Sequence, residues 1–240
     1  MKAADVKKAL AAFASPTKAI DLQWFFKTGP GEYGEGDQFI GVTVPQSRKV
    51  AAQFAALPLE EIKLLASSPI HEHRHCALIV LVNQFQKAKD EKVRKQLFDA
   101  WMQLLRDGYI NNWDLVDVSG HLIGAWLVGR PDSLKFLQKL ARSKKLWERR
   151  SSVIFTFAFM RAGSLDESLE ICELLVDDEH DLIHKAVGWV MREVGKRDIE
   201  VLRGFLHAHA ATMPRTMLRY AIEKMGETER KRWLAMKATR

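Results

Sequence analysis

Cysteine is nearly missing from this 240-residue chain, which has only Cys76 and Cys172. Both lie in apolar helical stretches with no nearby cysteine to complete a CxxC pair, so a disulfide framework and a cysteine-rich zinc site are excluded. Two buried free thiols in a reducing compartment are expected. No window reaches the roughly eighteen apolar residues that cross a bilayer, and the opening MKAADVKKALAAFA lacks the apolar core and cleavage site of a secretory leader. A cytoplasmic protein with no membrane contact is the expectation. Strand-like segments are almost lacking too: only FIGVTV, residues 39–44, has the β-branched and aromatic content of one. Acid is in deficit, with 30 Asp and Glu against 37 Lys and Arg, a formal charge of +7 and a pI near 9.4. That balance favours an anionic partner such as nucleic acid.

What the chain does have is apolar content, 47% of its residues, enough to bury a core without disulfides or metals. Apolar residues recur at helical spacing in VKKALAAF, EEIKLLAS, CALIVLVNQF, RKQLFDAWMQLL, SLKFLQKL, SVIFTFAFM, SLEICELL and AVGWVMREV. Helix starts are marked at Ser15-Pro16 and Ser68-Pro69, and Ser164 with Glu167 has capping-box spacing. More than ten short helices are predicted.

A basic residue opens several of these helices: Arg74, Arg150, Lys185 and Arg215, separated by 76, 35 and 30 residues. The first gap is close to two periods, and the helix beginning near Trp113 falls midway in it. Such a spacing belongs to helical-pair repeats of the HEAT kind. The reading is therefore all-α, an α-solenoid in a single domain over residues 1–240, whose concave basic face suits a duplex. An irregular helical bundle is the alternative.

Some chemistry-bearing strings fail on context. Gly29-Pro30-Gly31-Glu32-Tyr33-Gly34 spells GxGxxG, but it follows the helical AIDLQWFFK rather than a strand. Glu32, Glu35 and Asp37 would also repel a phosphate. His71, His73 and His75 alternate, and His180 and His184 have zincin-like spacing, yet Asp181 replaces the zincin Glu and no third ligand follows. They read as surface or helix-end histidines, and no metal or cofactor is expected. A more promising pair is Trp113 and Asp117, four residues apart and so on one helical face. Trp189 lies three residues before Arg192, and with Arg150 these supply indoles, a carboxylate and guanidinium groups. Each alone reads equally as core or solvated surface.

FFKTGPGEYGEGD and FIGVTVP at 25–45, NNWDLVD at 111–117, LWERRS at 146–151 and KAVGWVMRE at 185–193 occur in an order that resembles the AlkD family of bacterial alkylpurine DNA glycosylases. The likeness runs from about Lys18 to Lys224. It implies HEAT-like repeats, duplex DNA as partner, a monomer, and removal of cationic alkylated purines. By motif position Trp113 and Trp189 resemble the family's cleft tryptophans, Asp117 its catalytic carboxylate, Arg150 its cleft arginine and Arg192 a neighbouring DNA contact. Lys185, opening the same helix as Trp189, is a further expected DNA contact. Phe25 stands where some members have tyrosine, and GPGEYGEGD is longer than in the shortest members. Without the resemblance, the same scaffold serves a non-catalytic DNA-binding repeat protein or a HEAT-type protein scaffold.

Overall fold

The computed structural model describes residues 1–236, which are helical and contain no strand among them. The chain divides into two compact units, Met1–Trp126 and Leu127–Arg240. The first holds α1 (Ala3–Ala11), α2 (Pro16–Phe25), α3 (Val44–Gln53), α4 (Leu59–Ala66), α5 (His71–Lys87), α6 (Glu91–Arg106) and α7 (Trp113–Ile123), closed by a 3₁₀ turn. The second holds α8 (Ser133–Ala141), α9 (Leu146–Ala162), α10 (Asp166–Leu174), α11 (Asp181–Gly195), α12 (Ile199–His209), α13 (Arg215–Ala221) and α14 (Glu227–Ala235).

The first unit is organised around α5, which packs against α3, α4, α6 and α7. Its run from Cys76 to Val82 is buried on every side, so its sequence is apolar without an exposed face. Each fully buried Leu, Ile or Val there contributes about 1.5–3 kcal/mol relative to exposure. In the second unit α9, α11 and α13 form one layer, with α8 and α10 packed as a second. Each unit is thus built as stacked helical pairs, the α-solenoid arrangement. The basic-residue period marks alternate helices: Arg74 lies in α5, Trp113 opens α7, Arg150 lies in α9, Lys185 in α11, and Arg215 opens α13.

Ser15 caps α2 as expected, its hydroxyl accepting from the Lys18 amide. Ser68 does not cap α5. The helix begins at His71, while the Ser68 hydroxyl accepts from the Ile70 amide and meets His73 Nδ1 at 2.8 Å. Ser164 lies two residues ahead of α10, and its hydroxyl reaches the Glu167 carboxylate. Both cysteines are free and buried. No helix among the described residues is long and apolar enough to cross a membrane.

The strand expected at 39–44 is absent, leaving only an isolated bridge between Gln38 and Ile70. The reason lies in where its amides go. The Glu72 carboxylate accepts from the Ile40, Gly41 and Val42 N–H groups, at 2.7 Å from Gly41 and 3.1 Å from the other two. An extended segment whose donors are taken by one side chain has none left for a neighbouring strand. Gly41 is required here: its φ is +81°, and a Cβ would come within 2.1 Å of the Ser15 carbonyl oxygen.

Candidate active site

Trp113 and Asp117 lie one turn apart near the start of α7, both half-buried, and both line a cavity of about 590 Å³ in the first unit. The N-terminus of α7 is fixed by Asn112, whose side-chain oxygen accepts from the Trp113 amide at 2.8 Å. The cavity is apolar and aromatic over most of its wall, with Leu22, Phe25, Phe26, Phe39, Val42 and Val118. Helix α2 contributes to one wall yet buries none of its own residues, and the exposed Lys18, Asp21 and Arg48 stand at the mouth.

Trp113 is held by an aromatic column. Its ring stacks on Phe26 at 5.4 Å, Phe26 stacks on Phe39 at 5.2 Å, and Phe39 stacks on the His71 imidazole at 4.6 Å. Phe25 meets Trp113 edge-on at 6.1 Å. Contacts of this kind contribute about 0.5–1.5 kcal/mol each beyond area burial. They leave the indole few orientations.

Beneath the column lies a buried charge network. His71 Nδ1 is 3.0 Å from Asp37 Oδ2 and its Nε2 is 2.8 Å from Asp114 Oδ2. Asp37 also accepts from Arg74 at 2.6 Å and Asn111 at 3.0 Å. Burial on its own would lower the His71 pKa, but the charge and hydrogen bond of Asp114, joined by those of Asp37, raise it to about 9. Asp37 falls to about 2: burial pushes upward, and His71, Arg74 and Asn111 outweigh it. Asp114 is likewise lowered, because His71 outweighs the desolvation. At neutral pH the network is an imidazolium between two carboxylates.

Reading His71, His73 and His75 as helix-end residues holds, since α5 begins at His71, while reading them as surface residues is corrected. They stand in the first turns of α5 but are buried, because α5 is enclosed on all sides. His180 does sit at a helix end, capping α11 through the Leu182 amide. Among the described residues no group of three His, Cys, Asp or Glu side chains is placed to hold a metal ion. In the glycine-rich segment the Glu32 and Glu35 carboxylates take the Gly29 and Gly31 amides, the groups a phosphate would need. The segment instead delivers Asp37 to the network. Gly34 permits this, since a Cβ there would lie 2.4 Å from the Phe26 carbonyl oxygen.

The other sequence-nominated residues belong to the second unit. Arg150 is buried in α9 and donates to the Leu182 carbonyl at 2.5 Å. Trp189 is half-buried in α11 against Phe157, with ring centroids 4.7 Å apart. Lys185 pairs with Asp181 at 2.6 Å, and Arg192 pairs with Glu223. Lys185, Trp189 and Arg192 follow at helical spacing along one side of α11. Sequence reasoning missed Asp37, His71, Arg74, His75 and Asp114. For His71, Arg74 and His75 the signal was HEHRH directly ahead of the all-apolar run 76–82 of the same helix: polar groups opening a segment that is buried all round must find partners elsewhere in the fold.

The family profile described as DNA alkylation repair enzyme matches residues 6–225. No curated protein matches at a significant level. Among solved structures, one described as a predicted DNA alkylation repair enzyme from Enterococcus faecalis superposes with a TM-score of 0.69. It shares 16% identity and covers 89% of this chain and 97% of its own. At that identity the likeness concerns the fold.

Proposed function

Because the chain belongs to the family of DNA alkylation repair enzymes, we propose that it is a DNA glycosylase that hydrolyses the N-glycosidic bond of cationic alkylated purines, such as 3-methyladenine and 7-methylguanine, in duplex DNA. The observation that carries this reading is Asp117, a half-exposed carboxylate set beside a fixed indole on the wall of an apolar cavity. Alkylation at N3 or N7 makes the purine cationic. Its bond to C1′ then breaks with the electron pair leaving on the base, which departs neutral without needing a proton. Positive charge develops on the deoxyribose, and a carboxylate aimed at that sugar stabilises this transition state more than the ground state. Water adds its oxygen to C1′ and surrenders a proton, for which Asp117 is the acceptor at hand.

Trp113 presents an electron-rich face to the cationic sugar or base, worth about 0.5–2 kcal/mol. We assign Trp189 the same role in the second unit. Arg150, Lys185 and Arg192 are assigned to the DNA backbone, Arg150 by giving up the Leu182 carbonyl, Lys185 and Arg192 by exchanging their present carboxylates for phosphate, a contact that weakens with salt.

Incubating the protein with methylated duplex at low salt and identifying released bases by mass spectrometry tests the reading. Release of 7-methylguanine or 3-methyladenine is expected. Asp117→Asn is expected to cut single-turnover release by about 100- to 1,000-fold with little change in DNA binding. Salt-sensitive binding with no release above background would place the chain among non-catalytic DNA-binding repeat proteins.

A further inference from the structure

We propose that the outer side of α2 is a contact for duplex DNA beside the lesion, with Trp24 packing on a deoxyribose and Lys27 pairing with a phosphate. The place of the damaged nucleotide, at Asp117, rests on the reading above.

Helix α2 is a ridge with open space on both sides. Lys18, Leu22 and Phe25, at helical spacing, border the cavity of Trp113 and Asp117. Ile20 and Trp24, with Lys27 just past the helix end, repeat that spacing two residues later and border a separate groove, and Phe25 lies at the edge of both. On the groove side Ile20 is 68% and Trp24 84% exposed. The Trp24 indole makes no ring contact or hydrogen bond among the described residues. A single exposed apolar side chain needs no explanation, but large neighbours turned together to solvent mark a surface that meets a partner.

The turn that ends α2 supplies a cation. The Lys27 N–H donates to the Trp24 carbonyl at 3.2 Å and the Thr28 N–H to the Gln23 carbonyl at 3.3 Å, the paired bonds of a Schellman motif. The left-handed position of that motif is commonly glycine, because a Cβ is strained there. Here it is Lys27, with φ of +52°, the one non-glycine residue at positive φ among the described residues. The fold bears that strain and holds an exposed ammonium with no ion pair among the described residues. Strain kept at an exposed turn points to a side chain wanted for its chemistry.

Charge and position select the occupant. Lys18 and Lys27 stand towards the two ends of the ridge, both exposed and both without an ion pair among the described residues. Glu32, the acid that borders the groove, is tied to the Gly29 amide at 3.0 Å, and Asp21 borders the cavity instead. Phe25 meets Trp113 at 6.1 Å, and Trp24 is its chain neighbour. A duplex with its damaged sugar at Asp117 therefore meets the ridge within a few nucleotides. An indole on a sugar and an ammonium on a phosphate fix register without reading sequence, as a search for damage requires.

Anisotropy titrations of an undamaged fluorescent duplex at low salt, with urea unfolding of the same proteins, test the proposal. Trp24→Ala is expected to bind at least about fivefold more weakly, as truncation of an anchoring tryptophan predicts. Its unfolding midpoint should not move, because the ring is exposed. Lys27→Gly should also bind more weakly, and the slope of log affinity against log salt should fall by about one. Its unfolding midpoint should hold or rise, since glycine relieves the left-handed strain. Weaker binding by a protein at least as stable is a result that a purely structural lysine does not give. Leu64→Ala, at a 57% exposed position on α4, is the control and should bind as wild type does.

Wild-type duplex affinity in either Trp24→Ala or Lys27→Gly overturns the proposal, as does a wild-type protein that binds no duplex. Loss of self-association by Trp24→Ala in sedimentation, with DNA affinity intact, overturns it and gives the face to a second copy of the chain. Base release from methylated duplex by the wild type, measured alongside, separates the two ideas. Release with undiminished binding by the variants removes the α2 contact and spares the glycosylase reading. Weakened binding by both variants with no release from the wild type keeps the contact and removes that reading.

Discussion

The two units handle charge in opposite ways. The first sinks its charges under a cavity: Asp37, His71, Arg74 and Asp114 are interlocked and nearly sealed from solvent. The second keeps its sequence-nominated pairs within reach of water, with Lys185 on Asp181 and Arg192 on Glu223, where the four side chains are 19–55% exposed. A buried pair loses much when one member is removed, because the other is stranded in low dielectric. An exposed pair loses little and exchanges readily. The first unit therefore holds a geometry, and the second keeps cations available.

The largest expected effect breaks that contrast at its deepest point. His71→Ala leaves Asp114 without its cation and removes one end of the stack that supports Trp113. A loss of about 3–5 kcal/mol in urea unfolding is expected. Lys185→Ala, at an exposed helical pair, should stay within about 0.5 kcal/mol of wild type in the same experiment. Comparable losses from both would erase the distinction between the units.

The same network gives stability a pH signature. Folding raises the His71 pKa from 6.5 to about 9. Its contribution is therefore full below pH 6.5 and is lost as pH climbs through 9. Thermal melts of wild type are expected to fall across that window, where His71→Gln should be flatter. Parallel curves would mean that the imidazole is neutral between its two carboxylates.

Much of this arrangement was legible in the sequence, and the illegible part has a physical cause. The alternate helices were marked by Arg74, Arg150, Lys185 and Arg215, each a long basic side chain near the start of the same member of its pair, with the Trp113 helix filling the gap between the first two. Trp113 and Asp117 share a helical face by spacing alone, and the cavity bears that out. Glu72 was invisible as the reason 39–44 is no strand, since a side chain competing for backbone amides leaves no trace in hydrophobic period. Asp37 was equally hidden: only the folded chain brings GPGEYGEGD to Asn111 and Asn112, so two motifs that looked independent are two sides of one contact.

A glycine in the second unit offers a smaller effect. Gly188, in KAVGWVMRE, lets α11 lie against α13 so closely that a Cβ would come within 2.5 Å of both the Met217 carbonyl oxygen and Tyr220 Cβ. The obstacle is partly backbone and cannot swing away. Gly188→Ala should cost about 1–3 kcal/mol despite alanine's better helix propensity. Gly204, in α12 with nothing near its missing Cβ, is the matched control, and Gly204→Ala should gain about 0.5–1 kcal/mol.

The smallest effect bears on the availability of the second unit's cations. Arg192 donates to the Glu223 carboxylate, and Glu223 also meets Lys224 at 3.1 Å. A phosphate reaching Arg192 must displace that carboxylate, so the pair acts as a built-in competitor. Glu223→Gln removes the competing charge without shortening the side chain. Affinity for undamaged duplex at low salt should then rise about two- to fivefold, as expected from losing an exposed pair worth less than about 1 kcal/mol. Raising the salt to several hundred millimolar should erase the gain, because both the competition and the phosphate contact are screened. If Glu223→Gln leaves DNA affinity unchanged while Arg192→Ala also does nothing, Arg192 is a strut between α11 and the segment after α13 rather than a hand on the backbone.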